Sequence, residues 1–266
     1  MMVSAFAALE GNAGLALGNA YGSNIANIAL ILGVTAIISP IAFQSVVVRK
    51  EIPILLAVTG LSTALAFDGD LSQLAAFVLI GVFAVLLTWS IFEAQRNPTD
   101  PMATDMQSEL DGQGKSSGKA MLWIVIGLLL LIGSSRLHVW GSVEVAGRLG
   151  VSDLLIGLTI VAIGTSLLEF AAPLTAARRG HPDMALGNVL GSNLFNTLAV
   201  VGIAGAISPI DVASEVLNRD LPAVACATMM LLVYCCGFKH RQGQINRLEG
   251  SSLVLAYIAY TAWLIL

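Results

Sequence analysis

Ala162-Ile163-Gly164-Thr165-Ser166-Leu167-Leu168-Glu169 is the stretch that decides how this chain is read. A carboxylate closes an otherwise apolar run. The nearest charges are Asp153, sixteen residues before it, and Arg178, nine after it. Along a helix those gaps measure about 24 Å and 13 Å. Glu169 therefore falls near the middle of a bilayer core about 30 Å thick. A carboxylate at that depth costs roughly 2.5–3.5 kcal/mol even on insertion scales, so its presence implies a use.

Spacing suggests the use. Thr165 and Glu169 stand four residues apart and share a helix face, with Ser166 beside them. About twenty residues on comes Gly187-Asn188-x-x-Gly191-Ser192-Asn193-x-x-Asn196, where Ser192 and Asn196 again stand at i, i+4. The set offers hydroxyl, amide and carboxylate oxygens and neither thiol nor imidazole, which suits hard cations such as Na⁺ and Ca²⁺. Gly164 is expected to let the helix break and free backbone carbonyls. Broken helices at mid-membrane hold ions in many secondary transporters.

Composition agrees with a bilayer setting. Of 266 residues, 56% are hydrophobic and 11% are charged, against about a quarter charged in soluble domains. Mean hydropathy is +0.84. The apolar runs have helical length, so the expected class is an all-α integral membrane protein embedded in a lipid bilayer. A net charge of −4 argues against a nucleic-acid partner. Cys226, Cys235 and Cys236 share one apolar run and read as small apolar filler. The three histidines have no metal-ligand spacing, and no covalent chemistry or nucleotide motif is indicated, so neither an enzyme nor a cofactor is expected.

Eight spans are expected, near 14–38, 52–67, 71–92, 120–140, 152–177, 183–208, 219–238 and 248–266, with residues 1–9 as the tail of a further helix. Residues 93–119 are polar and rich in Gly, Ser and Asp, and read as a flexible linker between parts 1–92 and 120–266. With that linker inside, ten of the thirteen Lys and Arg fall in inside gaps and three, Arg136, Arg148 and Arg219, outside. The positive-inside rule thus makes the linker cytoplasmic.

The two parts are copies. A shift of 169 lays Gly18-Asn19-x-x-Gly22-Ser23-Asn24-x-x-Asn27 on the Gly187–Asn196 motif, and Ser39-Pro40-Ile41 on Ser208-Pro209-Ile210. Between residues 11 and 41, 14 of 31 positions are identical. The copies lie five spans apart, an odd number, so they cross in opposite directions as an inverted repeat. The same shift places the counterpart of Glu169 at position zero, just ahead of Met1. About 50 residues of the first copy are expected upstream, one span and half of the next.

These residues resemble the calcium/cation antiporter superfamily, the sodium/calcium exchangers, and especially their short bacterial members. That family carries Gly-Thr-Ser-x-Pro-Glu followed by Gly-Asn-x-x-Gly-Ser-Asn-x-x-Asn/Asp in each half. Here the second half has both, with Leu168 in place of the proline, and the first half has the later one. The resemblance implies ten helices in two inverted halves, of which this chain would hold eight and a stub. It implies ion ligands at Glu169, Thr165, Ser166 and the carbonyl of Ala162, at Ser192 and Asn196, and at Ser23 and Asn27. The implied activity is secondary antiport of Ca²⁺ against Na⁺ or H⁺, and the implied location is a bacterial cytoplasmic (inner) membrane. With Leu168 in place, the break in the helix is expected to rest on Gly164 and Pro173. Two rival readings stand beside it: a transport-incompetent fragment or subunit needing the missing helices, and an ion-binding sensor. Homo-oligomerisation is left open by the sequence.

Overall fold

A computed structural model describes residues 2–42, 46–96, 117–150, 152–236 and 243–265. Helix α1 covers Met2–Leu9. Helix α2 runs Ala13–Ile38, with a π-helical segment at Ala26–Leu32. Then follow α3 (Val46–Leu65), α4 (Gln73–Arg96) and α5 (Ser117–Leu149). Helix α6 (Asp153–Ile156) continues through a π segment, Gly157–Val161, into α7 (Ala162–Arg179). Helix α8 runs Pro182–Ile207, with a π segment at Asn196–Val200. A last π segment, Val216–Asp220, leads into α9 (Leu221–Cys236), and α10 covers Arg247–Ile265. Of the expected linker, residues 97–116 lie outside the described residues, and the flanking helices continue to Arg96 and from Ser117.

Among the described residues five helices are long and apolar enough to cross a membrane, or six if the bent pair Leu154–Ser166 and Glu169–Arg179 is one span. Helices α3 and α10 are less apolar. Arg49, Lys50 and Glu51 lie in the first turns of one, and Arg247, Glu249, Ser251 and Ser252 lie in the first turns of the other.

Helix α2 is the centre. Its apolar window is 78% buried, against 12% for α5. Its sequence explains the position, because Gly18 and Gly22 let backbone meet backbone. A Cβ on Gly18 would lie 2.6 Å from the Leu154 carbonyl oxygen, and one on Gly22 would lie 2.7 Å from Ala162 Cβ. From the other side, Gly157 approaches the Leu15 carbonyl just as closely. Small residues at such a crossing are the usual way membrane helices pack tightly, since lipid supplies little hydrophobic drive.

Four two-residue strands tie the connections. β1 (Ile41–Ala42) pairs antiparallel with β4 (Gln244–Ile245), Ile41 opposite Ile245. β2 (Asp70–Leu71) pairs antiparallel with β3 (Ile210–Asp211), Asp70 opposite Asp211. Asp68-Gly69-Asp70 turns the chain ahead of α4, with Gly69 at φ +82°, a left-handed value that glycine adopts without strain.

Candidate ion site

Three helices converge: α2 brings Asn19, Ser23, Asn24 and Asn27, α7 brings Thr165, Ser166 and Glu169, and α8 brings Ser192, Asn193, Asn196 and Thr197. The helix carrying Glu169 bends by 43° between Ser166 and Glu169. This corrects one expectation. The helix passes through Gly164 without a break, and Gly164 packs against the His138 ring, whose Cε1 would be 3.1 Å from an added Cβ. The bend falls a few residues later, one turn before Pro173. Proline has no N–H for the carbonyl four residues back and its ring crowds that carbonyl. Here that carbonyl belongs to Glu169, so Pro173 produces the bend and frees a main-chain oxygen beside the carboxylate.

Glu169 is half-buried and accepts a 2.7 Å bond from Asn27 Nδ2. The same amide nitrogen donates to Asn193 Oδ1 at 3.2 Å. The carboxylate fixes the orientation of Asn27, since its oxygen cannot face another acceptor. Asn27 Oδ1 is thereby turned elsewhere, buried and without a partner among the described residues. Ser166 Oγ and Asn24 Oδ1 share that condition. Ser166 is 2% exposed, Asn27 1% and Asn24 0%. Each unsatisfied buried group costs on the order of 1–3 kcal/mol. Two of the three open oxygens lie on α2 and one on α7, the two helices that the Asn27–Glu169 bond joins, and a hard cation is the kind of partner oxygens satisfy. Among the described residues no cluster of three His, Cys, Asp or Glu occurs. Any ion held here would rest on neutral oxygens around one carboxylate.

Thr165 stitches the crossing. Its hydroxyl lies 2.9 Å from the Val161 carbonyl, 3.2 Å from that of Ala162 and 3.1 Å from Asn19 Oδ1. Ser23 Oγ stands 3.2 Å away. Ala162, Thr165, Ser23, Asn27 and Glu169 are thus brought together, with Ser166 beside them. Asn196 is buried on α8, and its Nδ2 is unpartnered among the described residues. Ser192 lies one turn before it, half-buried and outside the bonded cluster.

Sequence reading missed two members, Ser4 and Thr197. Asn19 Nδ2 donates to Ser4 Oγ at 2.8 Å, tying α1 to Thr165 through its other end. Asn24 Nδ2 donates to Thr197 Oγ1 at 2.7 Å, and Asn193 Nδ2 donates to the Asn24 carbonyl at 3.2 Å. The signal for Thr197 was present, since the repeat register sets it against Ile28 and the copies differ in polarity there. Thr197→Val keeps the shape and strands Asn24 Nδ2. It is expected to lower stability by about 1–3 kcal/mol, read as a fall in the thermal midpoint in detergent. An unchanged midpoint would mean the α2–α8 bond contributes nothing.

Membrane-length helices, one of them bent beside a half-buried carboxylate in an oxygen-rich cluster, define a class, the multi-helix membrane proteins. The sodium/calcium exchanger protein family profile matches residues 1–92 and 119–266, and the chain belongs to that family. Several of its relatives carry the names of antiporters or exchangers. It is 42% identical to the putative antiporter CaxA of Alkalimonas amylolytica over 98% of this chain and 81% of that one. It is 33% identical to the inner membrane protein YrbG of Escherichia coli K12 over 99% and 81%. Identity to the sodium/calcium exchanger MaX1 of Methanosarcina acetivorans is 28% over 96% and 81%. The fold matches the sodium-calcium exchanger NCX_Mj soaked with Na⁺ and Sr²⁺, with a TM-score of 0.70 at 28% identity, covering 98% of this chain and 80% of that one. The chain is therefore a membrane protein of a cation antiporter family, and not an enzyme.

Proposed function

We propose that this chain exchanges Ca²⁺ for Na⁺ across a bacterial inner membrane, with ions held mid-membrane beside Glu169. One observation carries the reading: Asn27 bonds Glu169 through its nitrogen and leaves its own buried Oδ1 open among the described residues, as Asn24 Oδ1 and Ser166 Oγ on the same two helices are. That is an acceptor set built for a cation. The names of MaX1 and NCX_Mj, both sodium/calcium exchangers, support the choice of ions.

The proposal includes two inverted halves and eight spans with a stub. The strand pairings support it. Under the sequence shift β1 corresponds to β3, and β2 and β4 each precede the last helix of their half. The pair β1–β4 then maps onto β3–β2. The π segments at Ala26–Leu32 and Asn196–Val200 also correspond. Such halves expose a central site to each side in turn.

The test is Ca²⁺ uptake by vesicles containing the purified chain. The expected result is uptake that requires an outward Na⁺ gradient and collapses with a Na⁺ ionophore. Uptake that follows a pH gradient instead would make H⁺ the coupling ion. One observation favours a second reading. Asn196 Nδ2, the counterpart of the Asn27 nitrogen that holds Glu169, has no acceptor among the described residues. Under that reading a second carboxylate must come from another segment, and the vesicles would bind Ca²⁺ without accumulating it.

A further inference from the structure

A cavity of about 310 Å³ lies between α2, α9 and α10, and its α2 residues, Ile25 and Ala29, stand next to and two residues beyond Asn24 and Asn27 of the oxygen cluster. Ala223 and Ala227 line one wall and Ala256 and Ala259 the other, while Ile25 and Ala29 form the floor. From Arg219 to Met230 it follows eleven residues of helix, about 16 Å. Its walls are aliphatic, its width is set by alanines, and Arg219, Tyr260 and Trp263 close one end.

That end is built. Asp220 is fully buried and accepts bonds from Arg219 Nε at 2.8 Å and Nη2 at 3.3 Å, and from Tyr260 Oη at 2.9 Å. Those bonds pin the guanidinium at the mouth, with its side chain 19% exposed and N–H groups beyond those two. Glu215 stands one turn before Arg219, exposed, and its charge acts on the guanidinium. The mouth therefore presents a donor fork flanked by an exposed carboxylate. Tyr and Trp at a helix end mark the membrane–water boundary.

The molecule contains its own comparison. The repeat register maps Ala223 to Ile54, Ile25 to Leu194 and Ala29 to Leu198. The larger side chains line a corresponding cavity of about 120 Å³. There Lys50, the counterpart of Arg219, is paired with Glu93 on α4. Among the described residues the wider of the two grooves is the one walled by α9 and α10, with Arg219 at its mouth.

We infer that this groove holds one acyl chain of a phospholipid whose headgroup carries both a phosphate and a primary ammonium. The phosphate accepts from Arg219, and the ammonium lies toward Glu215. An anionic headgroup without an ammonium would meet Glu215 uncompensated, and a choline headgroup has no N–H to donate. This inference is independent of the proposed transport.

The experiment offers the purified chain equal amounts of phosphatidylethanolamine, phosphatidylglycerol and phosphatidylcholine with identical chains, and weighs the retained lipid by native mass spectrometry. Phosphatidylethanolamine is expected to be retained over the other two. Glu215→Gln, at an exposed position, is expected to lower that preference about tenfold. Ala227→Phe, which fills the groove, is expected to abolish retention. Equal retention of the three lipids by the parent, a preference untouched by Glu215→Gln, or full retention by Ala227→Phe would overturn the assignment. Glu215→Gln is at an exposed position and leaves the Arg219–Asp220 pair intact. Because Ala227 is buried in the core, the Ala227→Phe result is read beside its thermal midpoint and with Ala259→Phe, an exposed position on the facing wall, which is expected to lose retention with the fold kept.

Discussion

Glu169→Gln is expected to reduce gradient-driven Ca²⁺ uptake about a thousandfold, to background in vesicles. The neutral amide keeps an oxygen for Asn27 Nδ2, so the 2.7 Å bond that orients the neighbouring asparagine has a replacement acceptor. What is lost is the charge. At about 4 Å and an effective dielectric near 20, one unit charge attracts another by on the order of 4 kcal/mol. Three open neutral oxygens cannot replace that. Stability in detergent is expected to hold or rise, since removing a half-buried charge relieves desolvation. The decisive comparison is uptake against thermal midpoint for the same preparation. Uptake within twofold of the parent would remove Glu169 from the site, and a collapsed midpoint would assign it a structural role.

The second large effect separates two glycines that the sequence makes equivalent. Gly22 and Gly191 occupy the same place in the repeated motif. A Cβ on Gly22 would lie 2.7 Å from Ala162 Cβ, 2.8 Å from Leu158 Cα and 2.9 Å from the Leu158 carbonyl. Backbone cannot swing aside, so Gly22→Ala is expected to cost about 3 kcal/mol or more, at or beyond the upper end for overpacking. Nothing among the described residues lies within 4 Å of a Cβ on Gly191. There the gain in helix propensity, about 0.5–1 kcal/mol, is unopposed. Gly191→Ala is expected to leave the thermal midpoint unchanged or raise it. Equal losses for both variants would show that the α2 crossing near Leu158 yields more than its backbone contacts allow.

Asymmetry between the halves recurs wherever sequence and structure are set side by side. The motif repeats, yet among the described residues Asn27 has a carboxylate and Asn196 does not. The two glycine faces match in sequence, and only one is filled. A shift alignment reports which residues correspond. It does not report which of them has a helix in front of it, because that depends on segments far away in the chain.

Some assignments needed no coordinates. Glu169 in a long apolar run, with Thr165 and Ser166 on or beside its face, marks an intramembrane oxygen site from helical spacing and the cost of a buried charge alone. Composition sets the membrane class for the same reason, since a bilayer leaves little choice about what may face it. Three other features were decided by tertiary contact. The bend beside Glu169 comes from Pro173, and Gly164 serves the packing of His138. Asn27 grips Glu169 across 142 residues of chain, and Thr197 enters through a bond to Asn24 across 173. Local pattern fixes which atoms a helix offers. Which of those atoms are consumed by neighbouring helices, and which stay open for an ion, is settled only when the helices cross.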